Sequence, residues 1–596
     1  MDPIQDLLQR LGETQGDTRA QAALTAEFLV LARPNEEREP LRAALDAAAV
    51  LHWFDAELLG KVLAIPDEDS RIWSQTLKKH SFVEHYRGES DLHYNLHEST
   101  RLGWRIRFAS ERPKRFRDLS LRASSCFADD PTPGGRIEWI YHLLCGNPEL
   151  AAAELEKLDR EWSGSARPEH RSALAAALQE LVDTDLVKGR ARAWSLLTVG
   201  WTRDARGETA QLAELAAEAF RLACEAGDKS AEADAKCLVG DVLLIRGKLD
   251  AAQKAYHEFL SLRRHLAEQD PNDADWQREL TMALSRVGHV LHAQGNLTAA
   301  QAAFEEDLAI SRRLAEQDPS NAGWQRDLAV AYRLVGGVLE AQDHLAAARA
   351  AFDQDLTISR RLAEQDPSNA GWQRDLAVAH SRVGGVLEAQ GQVAAAQAAF
   401  EQTLSISRCL VEQNPSNAGW QRDLAVAYSR VGGVLKAQGQ LAAAQAAFDQ
   451  DLAIFRRLAE QDPSNASWQR ELAVAYRRVG EVLQAQDQLE AAKAAFEQDL
   501  SISRRLVEQA PSNAGWQRDL ALACLRMGRI AAAANLNDIC LQLYEESLRI
   551  FAELVKIVPG LVQWAEDKKV VEAELTALRA TIASSPDGAA DRGQTS

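Results

Sequence analysis

At 596 residues the chain exceeds the ~250 to 300 at which one hydrophobic core stops growing, which excludes a single compact domain. A formal net charge of −19 excludes broad tracking of a nucleic-acid backbone, because counterion release needs clustered Lys and Arg. Seven cysteines, an odd number without a CxxC pair, exclude a disulfide framework and a zinc knuckle, and no uninterrupted apolar run reaches the ~18 residues of a membrane span.

The opening MDPIQDLLQRLGETQ has neither a cationic start nor an apolar h-region, so a cytoplasmic protein without membrane contact is expected. Residues 1–34 read as an N-terminal helical segment. Over 35–126 the text gives three helices (PLRAALDAAAVLHWF, DAELLGKVL, SRIWSQTLKKH) and two short strands around SFVEHY and LHYNLH, joined by RGESD. Three helices and a two-stranded ribbon form a winged-helix-like pattern. The text FDAELLGKVL … FVEHYRGESDLHYNLHEST resembles the winged-helix domain that follows the nucleotide-binding core of STAND-class signalling ATPases. In that class a Met-His-Asp or Leu-His-Asp motif contacts the nucleotide, and the resemblance puts Leu96, His97 and Glu98 at its place. No GxxxxGK[ST] phosphate loop occurs in the chain, so His97 is expected as a buried structural residue. His80, His85, His93 and His97 match no metal-ligand spacing, and no metal is assigned to them.

Arg101 to Arg122 is a basic island in an acidic chain, and Arg105, Arg107, Arg112, Lys114, Arg115 and Arg117 are its candidate nucleic-acid flank. The simpler reading is a solvated face or an internal dock for the acidic stack. From 133 to 227, text such as WIYHLLCGNPELAAAELEKL reads as degenerate helical hairpins, with Gly146, Ala151 and Leu155 at turn and packing offsets and SGSARPEH as a loop.

Over 228–558 one unit repeats every 48 residues. Trp276, Trp324, Trp372, Trp420, Trp468, Trp516 and Trp564 mark it, with a Gly such as Gly384 and an aromatic sixteen residues on, such as Phe400. Trp324, Leu328, Tyr332, Val335 and Leu339 share one helix face, and Leu345, Ala348, Phe352, Leu356 and Leu362 share a second. The chain must reverse between them, at Gly247, Gly295, Asp343, Gly391, Gly439, Asp487 and Asn535. Pro319, Ser320 and Asn321 stop one helix and cap the next. The Trp row reads as structural, each ring plugging the gap against the preceding helix. Residues 559–583 read as a C-terminal capping helix and 584–596 as a disordered tail.

Gly384, Leu387, Gly391, Ala396 and Phe400 resemble the tetratricopeptide repeat, lengthened from its usual 34 residues to 48 by about two turns on each helix. The resemblance implies a mainly α fold, a right-handed α-solenoid of antiparallel helix pairs, preceded here by the small α+β winged-helix-like domain. It also implies a concave face lined by first helices. Arg286, Arg382, Arg430, Arg478 and Arg526 fall two residues before the repeat Gly, and Glu340, Glu388 and Lys436 four after it. These are the candidate partner-binding residues, a guanidinium ladder suited to an acidic segment.

No nucleophile with a base, no paired carboxylates and no cofactor fingerprint stands out, so no catalytic residue and no cofactor are assigned. The leading expectation is a non-enzymatic scaffold or adaptor for a protein or peptide partner, in the manner of bacterial signalling or defence proteins. The alternatives are a DNA-binding regulator acting through the basic flank, and the nucleotide-sensing subunit of a split STAND-like ATPase.

Overall fold

A computed structural model describes residues 3–14, 16–86, 93–163, 168–205, 208, 211–511, 513–557 and 562–584. The expected RGESD turn and nearly all of the tail lie outside them. Packing divides the chain into two bodies that meet in sequence at Pro271 and Asn272.

The first body opens with α1 (Pro3–Glu13), α2 (Thr18–Leu31), α3 (Asn35–Val50), α4 (Ala56–Leu63) and α5 (Asp67–Leu77), followed by β1 (Val83–His85) and β2 (Tyr94–Leu96). The strands pair antiparallel with Glu84 opposite Asn95, and Phe54 adds a bridge to Tyr94. Three helices and a ribbon thus follow in the expected order. Beyond them come α6 (Glu98–Glu111), α7 (Pro113–Phe127), α8 (Pro133–Gly146), α9 (Pro148–Ser163), α10 (Pro168–Asp183), α11 (Gly189–Ala205), α12 (Leu212–Ala226), α13 (Lys229–Ile245) and α14 (Leu249–Gln269).

One hydrophobic core in this body runs from Ala26 and Leu41 through Trp104 and Leu144 to Trp194 and Ala235. The boundaries expected at 126/133 and 227/228 therefore fall inside a continuous interior. The physical reason is that α7 packs on α8, so the helices after the ribbon and the first hairpin bury each other. Asp228 stands where the repeat would place a Trp. It caps α13 through the Ala231 N–H and accepts a 2.9 Å hydrogen bond from the buried indole of Trp194, so another helix supplies the missing ring.

The second body is a run of antiparallel helix pairs: α15 (Ala274–Ala293) with α16 (Leu297–Gln317), α17 (Ala322–Ala341) with α18 (Leu345–Gln365), and α19 (Ala370–Ala389) with α20 (Val393–Gln413). Then follow α21 (Ala418–Ala437) with α22 (Leu441–Gln461), α23 (Ala466–Ala485) with α24 (Leu489–Gln509), α25 (Ala514–Ala533) with α26 (Asn537–Ile557), and the closing α27 (Val562–Ser584). The period sets each boundary. Asn321, Asn369, Asn417, Asn465 and Asn513 cap first helices, each side-chain oxygen accepting the N–H of the Trp three residues on. Reversals use left-handed residues, Gly391 and Gly439 near φ 73° and 75°, with Asp343, Asp487 and Asn535 adopting the same conformation.

The repeat Gly exists for close approach. A Cβ at Gly384 would lie 2.7 Å from the Phe400 ring, and one at Gly432 equally close to Phe448. Trp372 packs against Leu328, Ile358 and Leu362, and Trp468 and Trp516 against the next cluster along, which gives the row its structural role.

Candidate protein-interaction cleft

Two ionic elements recur along the repeats. The first is a ladder between first helices, in which an arginine pairs with the acid one repeat on: Arg278 with Asp327 at 2.6 Å, Arg326 with Asp375, Arg374 with Asp423, Arg470 with Asp519 at 2.6 Å and Arg518 with Asp567 at 3.0 Å. The second is a buried acid on the second helix, at Asp307, Asp355, Asp451 and Asp499. Asp355 accepts from Arg333 at 2.9 Å and Asp451 from Arg478 at 3.0 Å. Burial pushes Asp307 up to about 7, and Asp451 and Asp499 to about 6.

Both elements fail in the middle of the body. The acid position on α20 is Thr403, whose hydroxyl donates to the carbonyls of Ala377 and Ala399 and offers no charge. Arg430, related to Arg478 by the period, therefore has no counterpart of Asp451. Arg382 lies near Asp355, but Arg333 already holds that carboxylate. Arg422 is the rung without a partner, because the ladder acid one repeat on is Glu471 where its equivalents are Asp. Among the described residues, Arg382, Arg422 and Arg430 make no ion pair, and all three are exposed.

They converge on one cleft of about 430 Å³ formed by α17, α19, α20 and α21. Val378, Val426 and Trp420 supply its apolar lining, with Glu340 and Glu388 toward the C-terminal ends of α17 and α19. Desolvation in the cleft lowers the Arg382 pKa, Glu340 opposes that, and Arg333 and Arg430 add to it.

Of the residues expected to bind a partner, the structure thus brings together Arg382, Arg430, Glu340 and Glu388. Three others are spent internally. Arg478 holds Asp451, while Lys436 and Arg526 flank Glu481 at 2.9 and 3.4 Å. Arg286 sits half-buried on α15, outside the cleft. Arg422, Thr403 and Trp420 were not singled out for binding, although two breaks of the 48-residue pattern, Thr for Asp at 403 and Glu for Asp at 471, point to them.

The basic flank needs correction. Arg105 is wholly buried, 3.2 Å from Glu180, and Arg101 joins the same carboxylate. Burial pushes Glu180 up, but the two guanidinium groups outweigh it and hold the carboxyl below its usual range. Arg107 pairs with Glu111 at 2.7 Å, and Arg112 grips both oxygens of buried Asp46 at 2.6 and 2.7 Å. Lys114, Arg115, Arg117 and Arg122 are exposed. Half of the island, Arg101, Arg105, Arg107 and Arg112, thus docks acids internally, because its helices pack between α2, α3 and α8.

His97 is also corrected. It is exposed at the N-terminus of α6, its ring 3.0 Å from the Ser99 hydroxyl, because the strand ends at buried Leu96 and the next side chain turns outward. His80 stacks on Phe82, His93 on Trp53 and His85 against Tyr94, in separate aromatic contacts.

Comparison with known proteins gives a match to the tetratricopeptide repeat family over residues 280–320. No curated protein matches the chain. Among solved structures, the chain is similar to a STAND protein with a tetratricopeptide repeat sensor from Pyrococcus horikoshii, at 12% identity over 88% of this chain and 70% of that one, TM-score 0.47. It is also similar to a Rap protein complexed with competence and sporulation factor, at 14% identity over 68% of this chain and 99% of that one, TM-score 0.42. A third similarity is to BtubC from P. vanneervenii, at 16% identity over 44% of this chain and 92% of that one, TM-score 0.35. Among the described residues no helix is long and apolar enough to cross a membrane.

Proposed function

We propose that the protein is a non-enzymatic interaction scaffold that holds a segment of a partner protein along the face lined by α17, α19 and α21. The observation that carries this reading is the cleft around Arg382 and Arg430, where charged and apolar side chains face a space large enough for several residues of a peptide. A guanidinium without an internal acid is worth most against an external one, since its planar fork matches a carboxylate.

The test is affinity capture from the native host with the full chain and with an Arg382→Glu, Arg430→Glu double variant. A specific partner retained by the natural chain and lost from the variant is the expected result. Equal retention by both would place binding elsewhere and overturn the reading.

A further inference from the structure

We infer that the interruption of the repeat at Thr403 and Glu471 builds a specificity site for an extended peptide carrying an acidic and a basic residue about three positions apart. This deepens the scaffold reading and rests on it.

The array's own chemistry supplies the argument. Where the acid on the second helix and the Asp of the ladder are kept, arginines on this face are held inside the protein, as Arg478 is by Asp451 and Arg374 by Asp423; Arg382 is the exception, because Arg333 takes its acid, Asp355. At α20 and α23 those acids become Thr403 and Glu471, which leaves Arg430 and Arg422 unpaired beside Arg382. Two replacements far apart in sequence thus release cations onto one cleft. The acid is also replaced at Ser547 on α26, whose hydroxyl donates to the Ala521 carbonyl, but the position equivalent to Arg430 is Glu574 there, so no cation is released. The second helix of the Thr403 copy departs further, with Cys409 where the neighbouring copies have Arg361 and Arg457.

The cleft also has a direction. Its cations stand on the body of α19 and α21, and its two acids outside the ladder, Glu340 and Glu388, stand at helix C-terminal ends. From Arg382 to Glu388 along α19 is about 9 Å at the helical rise, the span of about three residues of extended chain. A carboxylate seated on the arginines therefore places a Lys or Arg three residues away against Glu340 and Glu388, with Val378, Val426 and Trp420 left for an apolar side chain between them.

The probe is a labelled dodecapeptide with a single Glu-Leu-Leu-Lys core in an alanine and glycine background, compared with its Gln-for-Glu counterpart by fluorescence anisotropy on the full chain. The natural protein is expected to bind the Glu peptide at least about tenfold more tightly than the Gln peptide, the worth of one charge-assisted contact. The decisive variants are Thr403→Asp and Glu471→Asp, which install residues that the array already uses at equivalent positions and so preserve the fold. Each should weaken the Glu peptide severalfold, and the pair should remove the preference for Glu over Gln. Indifference to both variants, equal affinity for the two peptides, or no binding of the Glu peptide at about 1 mM would overturn the assignment. The double variant also separates the two proposals: if it keeps the partner captured from the host, the scaffold reading stands and this site falls.

Discussion

The two bodies handle buried charge in opposite ways. In the first, polar groups form clusters that occur once each: Asp46 takes Trp104 and Arg112, Glu180 takes Arg101, Arg105 and Tyr141, and Glu138 sits between His52 and His142. In the second, one ion pair and one helix cap are copied along the array. A unique cluster ties distant segments together, so its loss should spread through a shared core. A copied pair joins neighbours, so its loss should stay local. The copied scheme also makes any omission informative, because equivalent positions show what is missing.

The largest effect expected from this contrast follows Glu180→Ala, which strands the buried Arg105 and Arg101 charges and should cost about 3 to 5 kcal/mol. Loss of protection over the whole first body, read by hydrogen exchange, is the expected outcome. A change confined to α10 would break the contrast. Phe400→Ala should cost about as much, 3 to 5 kcal/mol, yet act only near α19 and α20, where the ring meets Gly384. Limited proteolysis should cut there while distant repeats survive, and one global transition would contradict local coupling.

A smaller effect sharpens the comparison through pH. Asp307 lies buried against Ser311 with its pKa pushed up to about 7, above the unfolded value, so the folded state holds its proton more tightly. Its contribution is favourable at acid pH and is lost as pH rises through about 7. Asp307→Asn should therefore stabilise the second body by on the order of 2 kcal/mol at about pH 8 and flatten the decline of its melting temperature between about pH 5 and 8. An unchanged slope would show that Asp307 is not the group responsible.

What the sequence revealed follows the same divide. Helix pairs, caps, left-handed turns and the contact of Gly384 with Phe400 were legible because seven copies state them. The burial of Arg105 was not, since its acid lies 75 residues away in text without a period. His97 was misplaced because the end of a three-residue strand decides whether the next side chain faces inward. In the cleft, Arg382 and Arg430 were legible from their register. Arg422 needed the ladder, a pairing that spans 49 residues and becomes visible only once the helices are packed.

The most direct test of the central claim is hydrogen–deuterium exchange on the full chain with and without the partner captured from its host. Slowed exchange concentrated in Arg374–Glu388, Thr403–Leu410 and Trp420–Arg430 is the predicted result. Slowing centred on Arg101–Arg122, or spread evenly over every repeat, would contradict a binding site made where the repeat breaks.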